Sequence, residues 1–239
     1  MATTIPNCVA YDPAFAYELA VIVQDGLRRM YAEQQSIFYY ITCMNENYAH
    51  PAMPQGAEQG ILRGMYLLQP GGRGKVRVNL FGSGTILREV LAAAQTLEQD
   101  YGVPADVFSV TSFSELRREA LDAERWNMLH PGEPPRAPYV QQCLEGQQGP
   151  FVAATDYMRT VPDQIRKWVP GRYVVLGTDG FGRSDSRAAL RSFFEVDRRW
   201  VTVAALKALA DEGRLDLATV KAAIERFGID PEKPNPVTT

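Results

Sequence analysis

The 239 residues are 46% hydrophobic and 22% charged, the composition of a soluble globular chain of one large domain or one and a half, which excludes disorder and low complexity. Lys+Arg 25 against Asp+Glu 28 leaves a formal net charge of −3, which excludes a generally basic nucleic-acid binder working by counterion displacement. Cys8, Cys43 and Cys143 form no C-x-x-C pair and read as free thiols, and residues 1–6 lack the features of a secretory signal. With no apolar run near the ~18–20 residues of a membrane span, the expected setting is the cytoplasm, with neither membrane nor nucleic acid as partner.

In chain order, Asp12-Pro13 predicts a helix start, an Asp cap followed by proline where its missing N–H costs nothing. Phe15, Leu19, Ile22, Gly26 and Met30 follow at helical spacing, and Ala20, Val21 and Val23 widen the stripe until the helix needs cover on most sides. Ile37 to Cys43 is a continuous run of strand formers, the pattern of a strand buried on both faces. One helix and one strand cannot cover each other. Residues 1–50 therefore read as the end of a sheet domain whose other strands lie elsewhere, with the expectation that the sequence is the tail of a longer protein. The alternative is that this strand joins the sheet of the second region. Residues 45–74 are rich in Asn, Pro, Gly and Gln, interrupted by a short apolar helix over 60–66, and a domain boundary falls within them.

From about residue 75, strands alternate with helices. Val76, Val78 and Leu80 predict a strand, Gly82-Ser83-Gly84 a turn, and residues 86–97 a helix; 107–110 is a second strand. Ser112 and Glu115 fit a capping box for a helix to about Trp126. Strands over 151–154 and 173–176 flank a helix opened by Pro162, and helices close the sequence over 186–194, 201–210 and 216–227, with Gly213 as a stop and Asp216 as a cap. This is an α/β pattern, a mostly parallel sheet with helices on both faces, preceded by a helix–strand remnant of a second α/β domain.

Motifs for chemistry are incomplete. Gly82-Ser83-Gly84 sits where a dinucleotide fold places its phosphate turn, but the third glycine would fall at Leu87, so the close helix–strand approach is not encoded. A nucleophile elbow would need glycine at Phe81, and the only histidines, His50 and His130, lie in loop-like stretches. Tyr39-Tyr40 and Phe193-Phe194 read as core bulk. The loop after the last strand carries Asp179, Arg183, Ser184, Asp185 and Arg187 among three glycines, at the carboxyl end of a strand where ligands meet open sheets. It reads as an anion site or subunit contact. The alternative is a self-satisfied loop with Ser184 or Asp185 capping the next helix. Gly177-Thr178-Asp179-Gly180 lacks the glycine before Asp179 that a thiamine-diphosphate G-D-G motif requires, and no asparagine follows before Asn235.

Long segments carry a resemblance. They include Ile5-Pro6-Asn7-Cys8, residues 11–18, Tyr40-Ile41-Thr42, residues 45–48, 82–88, 101–103, 110–116, 124–131 and 154–158, and Leu176 through Arg187. Over essentially its whole length the sequence resembles the carboxyl-terminal part of the homodimeric bacterial pyruvate dehydrogenase E1 family. The resemblance implies a transketolase-like enzyme that uses thiamine diphosphate and Mg²⁺, decarboxylates pyruvate and acetylates the lipoyl group of the E2 acetyltransferase. It implies residues 1–50 as a remnant of the middle, pyrimidine-binding-type domain, 51–74 as connector and 75–239 as the transketolase C-terminal-like domain. The family's cofactor and catalytic positions precede this sequence. The expectation is therefore no catalytic, cofactor-binding or metal residue here, and a chain that supplies scaffold and dimer packing with the rest of E1 and a second subunit. The alternative is a stand-alone, non-catalytic interaction module derived from that domain.

Overall fold

The computed structural model describes residues 4–239. The chain opens with β1 (Cys8–Tyr11), α1 (Ala16–Leu27) and β2 (Phe38–Ile41). The two strands pair in parallel, Cys8 opposite Phe38 through Tyr11 opposite Ile41, with α1 as the crossover. Thus the first segment forms its own two-stranded sheet. β1 is only four residues long, too short to announce itself by periodicity.

Two expectations for this segment are corrected. First, α1 begins at Ala16 rather than behind Asp12. Glu18 reaches back with Oε2 to accept from the N–H groups of Ala14 (2.6 Å) and Phe15 (3.0 Å), so a carboxylate inside the first turn does the capping. Second, β2 is not buried on both faces: Phe38 is 43% exposed and Tyr40 53%. A continuous apolar run marks a strand, but its cover depends on neighbours, and among the described residues β2 pairs only with β1. α1 likewise buries Ile22 and Gly26 while Val23 and Leu27 stay exposed.

Next come α2 (Glu58–Arg63), ended by Gly64 in the left-handed region, and β3 (Tyr66–Gln69), which extends the sheet into the stretch read as connector. The remaining elements are β4 (Val78–Gly82), α3 (Ile86–Tyr101), β5 (Ala105–Ser109), α4 (Phe113–Leu129), α5 (Tyr139–Cys143), β6 (Phe151–Ala154), α6 (Thr160–Asp163), β7 (Tyr173–Leu176), α7 (Arg187–Phe193), α8 (Arg198–Asp211) and α9 (Leu217–Arg226). The second sheet has the order β3-β5-β4-β6-β7 and is parallel except for β3. Alternate residues of its central strands face opposite helical layers. Leu80, Val107 and Val152 pack with Ile86, Leu97, Val201 and Leu209 from α3 and α8. Phe81, Phe108, Phe151 and Tyr173 pack with Leu116, Ile165 and Trp168 on the other side. Each such fully buried side chain contributes about 1.5–3 kcal/mol over leaving it in water.

Helix ends follow local chemistry. Ser112 Oγ accepts from Glu115 N at 3.1 Å, but the returning half of the box is absent because Glu115 pairs with Arg118. Asp216 caps α9 through Ala218 N, at 2.9 Å. Gly82, not a third glycine at Leu87, supplies the close strand–helix approach: a Cβ there would lie 2.7 Å from Leu87 Cα.

Candidate functional site

The order of the second sheet makes a topological switch at β4 and β6, the strands from which the chain departs in opposite directions. Open α/β sheets bind ligands in the crevice at such carboxyl ends. Here the crevice is framed by the Ser83-Gly84 turn and by Thr155-Asp156, with Ser83 Oγ and Thr155 Oγ1 bonded at 2.9 Å across it. The first segment is seated in the same place. Asp12 N donates to Thr111 O (2.8 Å), Gly84 N donates to Asp12 O (3.1 Å), and Thr42 Oγ1 donates to Asp12 Oδ1 (2.5 Å). Gly84 has φ +50°, and a Cβ on it would stand 2.8 Å from both Asp12 carboxylate oxygens. Glycine is required here by the backbone angle and by the carboxylate alike.

A cleft of about 360 Å³ opens beside this contact, lined by Asp12, Tyr40, Thr42, Cys43, Thr85, Asp156 and Tyr157 among others. Burial pushes the Asp12 carboxyl up to about 6, against the hydroxyls of Thr42 and Ser83, which favour its ionised form. Burial also raises Asp156, and it lifts the Tyr157 phenol to about 12. The donor set is wrong for a diphosphate. The N-terminal end of α3, which would attract an anion, already faces a carboxylate, and a second carboxylate lies opposite. Among the described residues no group of three or more His, Cys, Asp or Glu side chains is arranged to hold a metal ion. The acidic lining therefore does not suit the diphosphate of thiamine diphosphate.

Two further carboxylates tie the first segment to the second sheet. Glu18 is fully buried; beyond its two backbone donors, Oε1 accepts from Tyr66 (2.6 Å) and Ser109 (2.6 Å). Glu46 receives Arg88 at 2.6 Å, Arg191, and Arg187 at 3.8 Å, and Arg191 foremost holds its carboxyl below the usual range. Arg88 also lies over the Tyr48 ring, 4.4 Å from its centre. Arg191 continues to Glu89, which also receives Arg198 at 2.8 Å.

The loop residues singled out from the sequence are dispersed rather than gathered. Asp179 faces Arg159 (3.4 Å), Arg183 lies over the Phe193 ring (4.2 Å), Ser184 and Asp185 are exposed, and Arg187 joins Asn45 and Glu46. The helix after the loop is capped by Ser186, whose Oγ accepts from Ala189 N at 3.3 Å; Asp185 instead accepts from Ser186 N. Asp12, Glu18, Glu46 and Asp156 were not singled out for chemistry. All four lie within the segments that carry the family resemblance, so the signal was present but had no motif attached.

Comparison with known proteins finds two family matches. The transketolase-like TK C-terminal domain matches residues 64–197, and the pyruvate dehydrogenase E1 component middle domain matches residues 1–51. The pyruvate dehydrogenase E1 component of Pseudomonas aeruginosa is 61% identical over 99% of this chain, which covers 27% of that protein. The Escherichia coli K12 protein of the same name is 57% identical over 98% of the chain and 26% of its own length. The chain thus spans about a quarter of these relatives, matching their carboxyl-terminal portion. Among solved structures, a transketolase from Campylobacter jejuni aligns with TM-score 0.60 at 17% identity, covering 86% of this chain and 27% of the other. A split-gene transketolase, an inactive β4 tetramer, aligns with TM-score 0.55 at 18% identity, over 87% and 59%. At that identity these structures speak to fold alone.

Proposed function

Because this chain belongs to the transketolase-like TK C-terminal domain family, we propose that it is the carboxyl-terminal scaffold of a pyruvate dehydrogenase E1 component. On this reading the longer protein decarboxylates pyruvate with thiamine diphosphate and Mg²⁺ and acetylates the lipoyl group of E2. On the same reading the cofactor groups are supplied by parts of the longer protein outside this chain. Residues 1–50 close the middle domain, 51–74 connect, and 75–239 form the carboxyl-terminal domain. The partners are the rest of the E1 chain, a second E1 subunit and, through them, the E2 complex, in the cytoplasm. The exposed part of the loop, Arg183, Ser184 and Asp185 beside the 78%-exposed Phe181, is the proposed subunit contact, with Asp179 and Arg187 holding its two ends.

One observation carries the reading: the first segment is joined to the second sheet through the buried Glu18, which takes donors from both. The test is an immunoblot of native lysate together with a turnover assay on the purified 239 residues. The expected result is a native band several times larger than 26.6 kDa and no thiamine-dependent pyruvate decarboxylation by the isolated chain. Turnover by the isolated chain would overturn the reading. A native band at 26.6 kDa with a compact dimer would replace it with a stand-alone interaction module.

A further inference from the structure

Three carboxylates join the first segment to the second sheet, and two are fully compensated. Glu18 has four hydrogen-bond donors, and Glu46 has arginine partners. Asp12 has neither. Thr42 serves its Oδ1, while Oδ2 is buried with no hydrogen-bond partner, and no cation pairs with it among the described residues. The charged groups around it worsen this. Asp156, across the switch, and Glu18, on α1, are both acidic. The arginine behind the cleft, Arg191, acts on Asp156 and is committed to Glu46 and Glu89. Tyr157 and Tyr48, the other titratable neighbours, are phenols held neutral by burial. A buried carboxylate with one oxygen left without a hydrogen bond and no paired cation is costly, and the available remedy is a proton.

We propose that Asp12 is a proton-dependent latch at the sheet's switch point, closed when its buried oxygen carries a proton and loosened when it ionises. The site is well placed for this role. The main chain of Asp12 bridges Thr111 and Gly84, while its side chain holds Thr42 at the end of β2. The acid form gives the buried oxygen a hydrogen to direct at Ser83, whose hydroxyl continues to Thr155. The folded state then binds this proton more tightly than the unfolded chain, where an aspartate titrates near 3.8. The contribution to stability is therefore full below about pH 4 and lost as pH rises through about 6.

The decisive measurement is the Asp12 ¹³Cγ shift of the full 239-residue chain followed by NMR from pH 3 to 8, with urea unfolding of the wild type, D12N and D156N at pH 4.5 and 7.5. A carboxyl midpoint near 6 is expected. D12N, which carries a permanent donor, should unfold less readily than wild type at pH 7.5, by up to on the order of a hundred-fold in the unfolding constant, and by only several-fold at pH 4.5. D156N, which removes one acidic neighbour, should reduce the wild-type difference between the two pH values without abolishing it. A midpoint below 4.5 overturns the proposal without reference to any variant. So does a pH-dependent difference that disappears in D156N but persists in D12N.

Discussion

The two sheets of this protein are built from similar residues and end in different states. β4 and its neighbours are covered by helices on both sides, with Leu80 and Phe81 each fully buried. β2 has an equally apolar composition, yet its outer residues Phe38 and Tyr40 face solvent. The contrast teaches that the first segment, buried only on its inner side where Val9, Tyr11 and Ile22 pack with Ile61 and Tyr66, adds specific polar ties there, whereas the second sheet is held by burial on both faces. Hydrophobic packing is tolerant of small changes, but a buried carboxylate with four donors is not.

The largest effect that should sharpen this contrast is Phe81→Ala, which removes a ring packed against Phe108 and Phe151 and should cost about 3–5 kcal/mol in urea unfolding. Glu18→Ala should cost about 2–4 kcal/mol, because it strands the Tyr66 and Ser109 hydroxyls and two backbone N–H groups. Its signature should be local: amide exchange in α1 and β2 should quicken more than in β4 and β5, and uniform quickening would contradict a separately tied segment. Glu46→Gln should cost about 1 kcal/mol at low salt and less as salt is raised. Since Glu46 is held below its ordinary 4.5, its stabilisation exists above that pH and is lost as pH falls, so the variant should lose less stability than wild type between pH 5 and 3. The smallest effect should come from Phe38→Ser on the open face, within about 0.5 kcal/mol. A large loss there would mean that the face is covered in solution.

Much of the second sheet was readable in advance. The strand over 151–154 and the strand over 173–176 carry unbroken apolar runs, and Asp216 announces α9 by its cap. β3 was not readable, because Tyr-Leu-Leu-Gln sits among turn formers and joins the sheet antiparallel. The site was less legible. Asp12-Pro13 has the local form of a helix cap, and only the tertiary seat of Asp12 against Gly84 gives it another role. Glu18 looked like one more polar position on a helix, since no spacing rule connects it to Ser109. The loop from Asp179 to Arg187 drew attention by its density of charge. Density said nothing about direction, and the charges turn to Arg159, Phe193 and Glu46 rather than to one another.

The bond from Glu18 also sets an order in time. Its partners Tyr66 and Ser109 follow it by 48 and 91 residues, so a growing chain makes α1 long before the hydroxyls that satisfy it. At about 5–20 residues per second of synthesis, the wait for Ser109 is on the order of 5–20 s. Through that interval α1 can pack against Ile61 and Tyr66, but the fourth donor to Glu18 is missing and its seat is completed only once β5 has emerged.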